Sequence, residues 1–518
     1  MGRVITKPII YGFRLSPLPI LHDWIQSLTK VSMNFLKKNL LFYTLFFTAI
    51  NSSYADEIKP KAEDNSFSFM KLLADNDLHD LKEESWNLYG QTTFISNFHS
   101  GFSAAYTNLN GSTNSLNDNA EHGFTATMTF YAGLKLWQGG EIYAVPEIIS
   151  EKPFSELKGL GGVIQNFELQ KNGLAQPTAY KSRLFLTQTF NLGGDKVHLD
   201  SSAMQLGKTV DSRRLVIKAG NFSILDFFDK NAFAGDLSRQ YMNMAFMKHA
   251  AYDFAANARG YTWGGVLEYY HDDWAFRFAH LAVPREPNQL AIDFRIFKYY
   301  GDQIEIEHKH TLFGQSGAVR ILGYRNRESM ARFSDAITVF KNDSSKNATT
   351  CSATTFSYGS NNDSAPDLCW VRRPQQKLGI GLNLEQQLAS DIGVFFRGMY
   401  SDGRTEVYSY TSADRSVSLG ALVKGDRWYR ENDTVGIAFA ESWISKQHAT
   451  FLDMGGVDGF IGDGKINQKA EKGLNLFYSV NLYRSIWFTG DYQHIINPGF
   501  NADRGPVDVY SMKMHLEF

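Results

Sequence analysis

Cysteine is nearly absent: Cys351 and Cys369 are the only two among 518 residues. That scarcity excludes a disulfide-scaffolded fold, and no CxxC pair or His-rich neighbourhood points to metal or thiol redox chemistry. Basic excess is missing too. The formal net charge is −2, and removing residues 1–55 leaves 46 basic against 53 acidic side chains. Nucleic acid is therefore not an expected partner. Beyond residue 55 no apolar run is long enough for a membrane-spanning helix. No Pro/Ser-rich linker divides the chain, although a soluble β protein of this size would split into several domains. A GxSxG elbow, an HExxH pair and a GKS/T loop are all lacking, so neither an enzyme nor a cofactor is expected. His308 and His310, two apart on one strand face, are read as interface positions rather than metal ligands.

The N-terminal region carries an export pattern. Lys37-Lys38 precede an apolar run from Leu40 to Ile50, and Ser53-Tyr54-Ala55 supplies small residues where a signal peptidase cuts. Three segments are expected. Residues 1–55 are an upstream extension plus signal peptide, with Met33 as the true start. Residues 56–85 form a periplasmic segment with a short amphipathic helix near Phe67–Lys82, and residues 86–518 form a barrel. In an exported chain the pair Cys351 and Cys369 is most simply a disulfide, placed in a loop spanning 329–376.

What the chain does have is alternation. Tyr510, Met512, Met514, Leu516 and Phe518 take every second position, with Ser511, Lys513, His515 and Glu517 between them. Such a strand has one apolar and one polar face, as the wall of a transmembrane barrel requires. An edge strand of a soluble sandwich is the alternative for these residues taken alone. The pattern recurs from Trp86 onward, for example at Leu378–Leu384, Val417–Val423 and Leu474–Leu482. The expected fold is all-β: a transmembrane antiparallel barrel of about sixteen strands, an even number if both ends lie in the periplasm. Short connections (138–140, 191–195, 389–391, 484–485) alternate with long ones (99–122, 150–178, 329–376, 444–472). Leu215–Gly220 is the weakest strand candidate, with membership of a long segment, 207–263, as the alternative. That segment is either folded into the lumen or packed on the rim. On the polar faces, Trp487, Thr489, Asp491 and Gln493 would point inward, as would Arg397; such a mixture suits hydroxyl-rich solutes, though any watery lumen is polar.

Several stretches carry a resemblance. They are Trp86-Asn87-Leu88-Tyr89-Gly90-Gln91, Gly220-Asn221-Phe222-Ser223 with Asp226-Phe227-Phe228-Asp229, and Ala251–Ala256. Arg259–Gly264, Asp491–Pro498 and Asn501–Val507 complete the set. The chain resembles the carbohydrate-selective porin family (OprB-like) of Gram-negative outer membranes over about residues 86–518. The resemblance implies facilitated diffusion of monosaccharides or small oligosaccharides through a charged constriction. It places Arg239, Asp253, Arg259 and Trp263 near the channel, followed by Glu147, Arg183, Asp491 and Arg504. A general or non-sugar porin is the alternative, and a barrel hydrolase a remote one. Only thirty residues separate position 55 from Trp86, too few for the plug of an energy-coupled receptor. Expected partners are outer-membrane lipids, small sugars and the barrel assembly machinery; monomer and homotrimer stay open.

Overall fold

The computed structural model describes residues 68–169, 174–344 and 364–518. The expected signal peptide, the start at Met33 and Cys351 lie outside the described residues. Sixteen antiparallel strands close on themselves. They are β1 (Trp86–His99), β2 (Glu121–Trp137), β3 (Gly140–Lys152), β4 (Thr178–Asn191), β5 (Arg214–Phe222), β6 (Thr262–His271), β7 (Trp274–Leu281) and β8 (Tyr300–Leu312). The second half comprises β9 (Gln315–Met330), β10 (Arg373–Ala389), β11 (Ile392–Ser401), β12 (Arg415–Gly425), β13 (Arg430–Trp443), β14 (Glu471–Tyr483), β15 (Ile486–Ile496) and β16 (Val507–Glu517). Barrel neighbours are sequence neighbours throughout, and β1 seals against β16 from Gln91↔Glu517 to His99↔Val509. Closure leaves every strand paired on both sides, the condition for a sheet in hydrocarbon.

Alternation decides where each side chain goes. On β16, Tyr510, Met512 and Met514 are exposed on the outer surface while Ser511, Lys513 and His515 are buried inside. On β15, Phe488 faces out and Trp487, Thr489, Asp491 and Gln493 face in. Met128, Leu267, Phe276, Phe278, Ile321 and Leu476 continue the exposed apolar belt, the surface a bilayer-spanning barrel needs. Among the described residues no helix is long and apolar enough to cross a membrane.

Most connections at the end where β16 finishes are tight. At Phe313-Gly314 both residues have positive φ, 54° and 77°, the pair that a type I′ hairpin turn demands. At the other end the loops are long. One open alternative is decided here and one expectation is corrected. Leu215–Gly220 lies within β5, a full barrel strand paired with β4 and β6. Its alternation is masked because Val216 points inward and Ile217 outward, so adjacent residues show no hydropathy contrast. The chain also makes no short turn at 191–195. Residues 192–213 instead carry an antiparallel ribbon, Lys196–Leu199 against Lys208–Asp211. Glu84, just before β1, ties that ribbon down through the Gly207 N–H (2.7 Å) and the Ser201 hydroxyl (2.7 Å).

Four helices are described: α1 (Phe69–Asp75), α2 (Met244–Met247), α3 (Phe333–Asn342) and α4 (Lys446–Asp453). The first fulfils the expectation of a short helix before the barrel; Ser68 caps it by accepting the Lys71 N–H at 3.1 Å. The apolar core sits inside the barrel, where Phe228, Tyr252, Phe254, Phe333 and Phe451 from the long loops pack together.

Candidate solute passage

Residues 223–261, between β5 and β6, enter the lumen. They start with a capped turn, Ile224–Asp226, and bend at α2, where Asn243 accepts the Ala245 N–H at 2.9 Å and donates to Gln493 at 2.8 Å. The deepest part reaches the far end of the barrel: Lys513 Nζ donates to the Leu237 carbonyl at 2.5 Å, and the Tyr241 hydroxyl lies 2.6 Å from the Ala421 carbonyl.

Two buried ion pairs fix this loop to the wall. Arg397 Nε donates to Asp229 Oδ1 at 3.0 Å, and its Nη1 donates to the carbonyls of Ala234 and Phe246 at 3.0 and 2.6 Å. Asp253 accepts Lys377 Nζ at 2.9 Å together with the N–H groups of Tyr408, Ser409 and Tyr410 at 3.0, 2.8 and 3.1 Å. Behind the loop runs an ionic ladder on the inward faces of β5–β10. Its rungs are Lys218–Glu268 (2.9 Å), Arg277–Glu305 (2.8 Å), Arg320–Glu307 (2.6 Å) and Arg320–Glu385 (3.2 Å). Glu305 and Glu385 also accept loop N–H groups from Asp229 and Ala232 at 2.8 and 2.6 Å. Loop and wall are therefore in direct contact on that side of the lumen.

Space remains on the opposite side. A cavity of about 260 Å³ lies between the loop and the β1–β4 wall. Aromatic rings of Tyr131, Phe167, Phe254, Tyr261 and Tyr410 line it together with Glu147, Glu168, Arg183, Asp226, Lys248 and Arg259. Arg183 grips Asp226 with both arms, at 2.7 and 2.8 Å. Glu147 accepts from Thr129 at 3.1 Å, from Tyr261 at 3.3 Å and from Tyr180. Arg259 leaves a tight turn in which Asn257 Oδ1 accepts the N–H groups of Arg259 and Tyr261 at 3.0 and 3.2 Å. Gly260 occupies that turn at φ 87°, where a side chain would be strained. The Arg259 guanidinium stacks over Tyr180 at 4.3 Å and makes no ion pair among the described residues.

Burial raises the Glu168 carboxyl to about 7, against the hydroxyl of Thr127, which donates at 2.6 Å. Burial likewise lowers the Lys248 ammonium to about 8 despite the pull of Asp229. The passage thus offers ring faces, fixed donors and acceptors, and few unpaired charges. No group of three or more metal-ligating side chains occurs among the described residues.

Of the residues singled out from sequence, the fold brings Glu147, Arg183 and Arg259 together on this cavity. The others lie elsewhere. Asp253 and Arg397 are buried anchors of the loop, and Asp491 accepts from Asn475 and Gln493 at 2.7 and 2.9 Å. Arg239 lies over the Trp487 ring at 5.2 Å, near Glu517 at the far end. Arg504 donates to the Tyr106 and Leu116 carbonyls among the outer loops. Trp263 shares the parity of Leu267 and Tyr269 and is 37% exposed on the outside of the barrel, so it faces away from the lumen. Glu168, Asp226, Lys248 and the lining tyrosines were missed. Asp226, Lys248 and Tyr261 fall within the long segment 207–263, the signal that could have found them; Glu168 and the other lining tyrosines gave none.

The family model for carbohydrate-selective porins of the OprB family matches residues 113–518. Among solved structures, a high-pH structure of Pseudomonas putida OprB superposes with a TM-score of 0.62 at 13% identity, covering 86% of this chain and 96% of that one. A low-pH structure of the same protein gives 0.45 at 11% identity, covering 89% and 100%. The outer membrane channel DcaP of Acinetobacter baumannii gives 0.44 at 9%, covering 84% and 97%. Comparison with curated proteins returns no match. The fold likeness rests on the first of these structures and the family on the model, which spans most of the barrel: the chain belongs to the OprB family of carbohydrate-selective porins and is a protein of the Gram-negative outer membrane.

Proposed function

We propose that small carbohydrates diffuse down their gradient along the β1–β4 wall, with Arg259, Glu147 and the Tyr180–Tyr261 pair selecting for them. The observation that carries this reading is the cavity itself. Its tyrosine rings can cover sugar C–H faces, while the stacked guanidinium of Arg259 and the carboxylate of Glu147 can pair with hydroxyls. Arg183 takes the role of holding Asp226, and so the loop entrance, rather than meeting solute. No bond is made or broken in this process.

Liposomes containing the protein should swell faster with a monosaccharide than with an amino acid of similar size. Arg259→Gln and Tyr261→Leu should each abolish the difference while ion conductance persists. Equal swelling rates in the native protein would reduce it to a general porin.

The same reading includes export by residues 1–55, a periplasmic segment 56–85 and a Cys351–Cys369 disulfide in the loop after β9. Insertion would depend on the barrel assembly machinery, and cross-linking in intact membranes distinguishes a monomer from a homotrimer.

A further inference from the structure

On strands β7–β9 the outward side chains just above the apolar belt carry charge. On β8 the outward parity runs from Ile306 and Ile304, the latter 55% exposed, up to Asp302 and Tyr300. On β9 it runs from Ile321 up to Arg325 and Arg327, and on β7 from Phe276 and Phe278 up to His280. Inward neighbours at these heights, Gln303, Asn326 and Leu281, are buried, so the parity is unambiguous. Asp302 and Arg325 lie one residue pair, about 7 Å, beyond Ile304, and Arg327 lies one pair further. That is the depth of headgroups when the belt lies in hydrocarbon.

The cluster is connected. Asp302 accepts from Arg325 at 2.5 Å and sits 2.7 Å from His280 Nδ1, which orients both. Arg325 also covers the Tyr300 ring at 5.2 Å, and Tyr300 pairs across the strands with Arg327. The loop between β7 and β8 bends over the same outer face: His280 Nε2 contacts the Ile296 carbonyl at 3.1 Å. This places Phe297, 90% exposed, beside His280, and Phe294 beside Trp263. Lys181 stands over the Trp263 ring at 4.5 Å. Arg295 is neutralised by Asp293 at 2.5 Å, but Arg327 and Lys298 have no carboxylate partner among the described residues. Four cations of this rim, with Lys181 of β4 beside them, thus face two carboxylates. Two bare phenyl rings jut out beside them, at the level where aromatics anchor in a membrane interface.

We infer that this rim of β6–β9 is a docking site for the phosphorylated headgroup of an outer-leaflet glycolipid of the lipid A type. Arg325, Arg327 and Lys298 would bind its phosphates, with Phe294 and Phe297 among its upper acyl carbons. The charge explains the phosphate, and continuity with the exposed belt of Phe276, Phe278 and Ile304 explains the chains. The surface is separate from the solute passage, so it can fail without affecting permeation.

The test uses the full-length protein in detergent, incubated with bisphosphorylated lipid A or its phosphate-free counterpart, with retention read by native mass spectrometry. The native protein should retain the phosphorylated lipid in a salt-sensitive way and the phosphate-free lipid far less. The triple variant Arg325→Gln/Arg327→Gln/Lys298→Gln should weaken retention on the order of a hundredfold, each cation near an anionic surface contributing roughly fivefold. Its single-channel conductance should be unchanged, which shows that the barrel is intact. Equal retention of the two lipids by the native protein overturns the proposal whatever the variant does. So does unaltered retention by the variant, or loss of a cross-linked oligomer in place of lipid, which would make the rim a contact between copies of this chain.

Discussion

At the scale of single residues, sequence told direction better than occupation. The inward pointing of Arg397 was legible from alternation, but its partner Asp229 lies 168 positions away and no local pattern links them. A charge that lines a channel and one spent on holding a loop look the same in a strand. Trp263 shows the complementary failure. The strand begins at Thr262, and without that boundary its parity, and so its outward face, could not be assigned. Glu168 was invisible because its environment is built by Thr125 and Thr127 on another element. It yields a prediction. The carboxyl is neutral below about 7 and charged above, so the passage gains a negative charge as pH rises through that value. The reversal potential in a KCl gradient should shift toward cation preference over that interval, and Glu168→Gln should flatten the dependence. A native protein without the shift would contradict the assignment.

Among elements, the loop 223–261 matters most, and its entry into the lumen was one of two open readings of an aromatic, charge-dense stretch without alternation. Removing one partner of a buried ion pair typically costs about 3–5 kcal/mol, because the other charge is left stranded. Arg397→Ala should therefore release the loop, raise single-channel conductance and lower the midpoint of urea unfolding. Unchanged conductance would mean that the loop is held by its apolar contacts alone.

The outer loops have their own fastening. His448 on α4 lies 3.2 Å from Asp414 and 3.1 Å from Asp458 and stacks on Phe333 at 4.3 Å. Burial would lower its pKa, but the two carboxylates raise it to about 9. A raised histidine stabilises the fold fully below its unfolded value near 6.5, and the contribution fades as pH climbs through about 9. Protease cleavage within 444–470 should accelerate across that upper range. His448→Gln should be cleaved faster already at neutral pH, with the step near 9 gone.

For the whole molecule, barrel, strand number and loop asymmetry were readable because lipid and lumen impose opposite demands on alternate residues. The ribbon at 192–213 was not, since its short strands span no membrane and need no such contrast. Closure depends on a close approach at the seam. The Gly90 N–H donates to the Phe518 carbonyl at 2.8 Å, the Phe518 N–H returns to Gly90 at 2.9 Å, and the Phe518 ring covers the glycine. A Cβ there would lie 2.2 Å from that ring. Gly90→Val should cost about 1–3 kcal/mol as overpacking and lower the temperature at which the folded band is lost on a semi-native gel. An unshifted band would show that the ring can swing aside.

The ladder beneath the loop has a broader consequence. Lys218, Glu268, Arg277, Glu305, Glu307, Arg320 and Glu385 lie on the inward side of the wall, and Glu305 and Glu385 are taken up by N–H groups of the loop. A tally of acids and bases inside the barrel would therefore misjudge its ion preference. Changes of cargo can arise by exchanging a few residues in one quadrant, while the opposite quadrant goes on holding the cylinder in shape. Evolution can retune what passes without renegotiating how the protein stands.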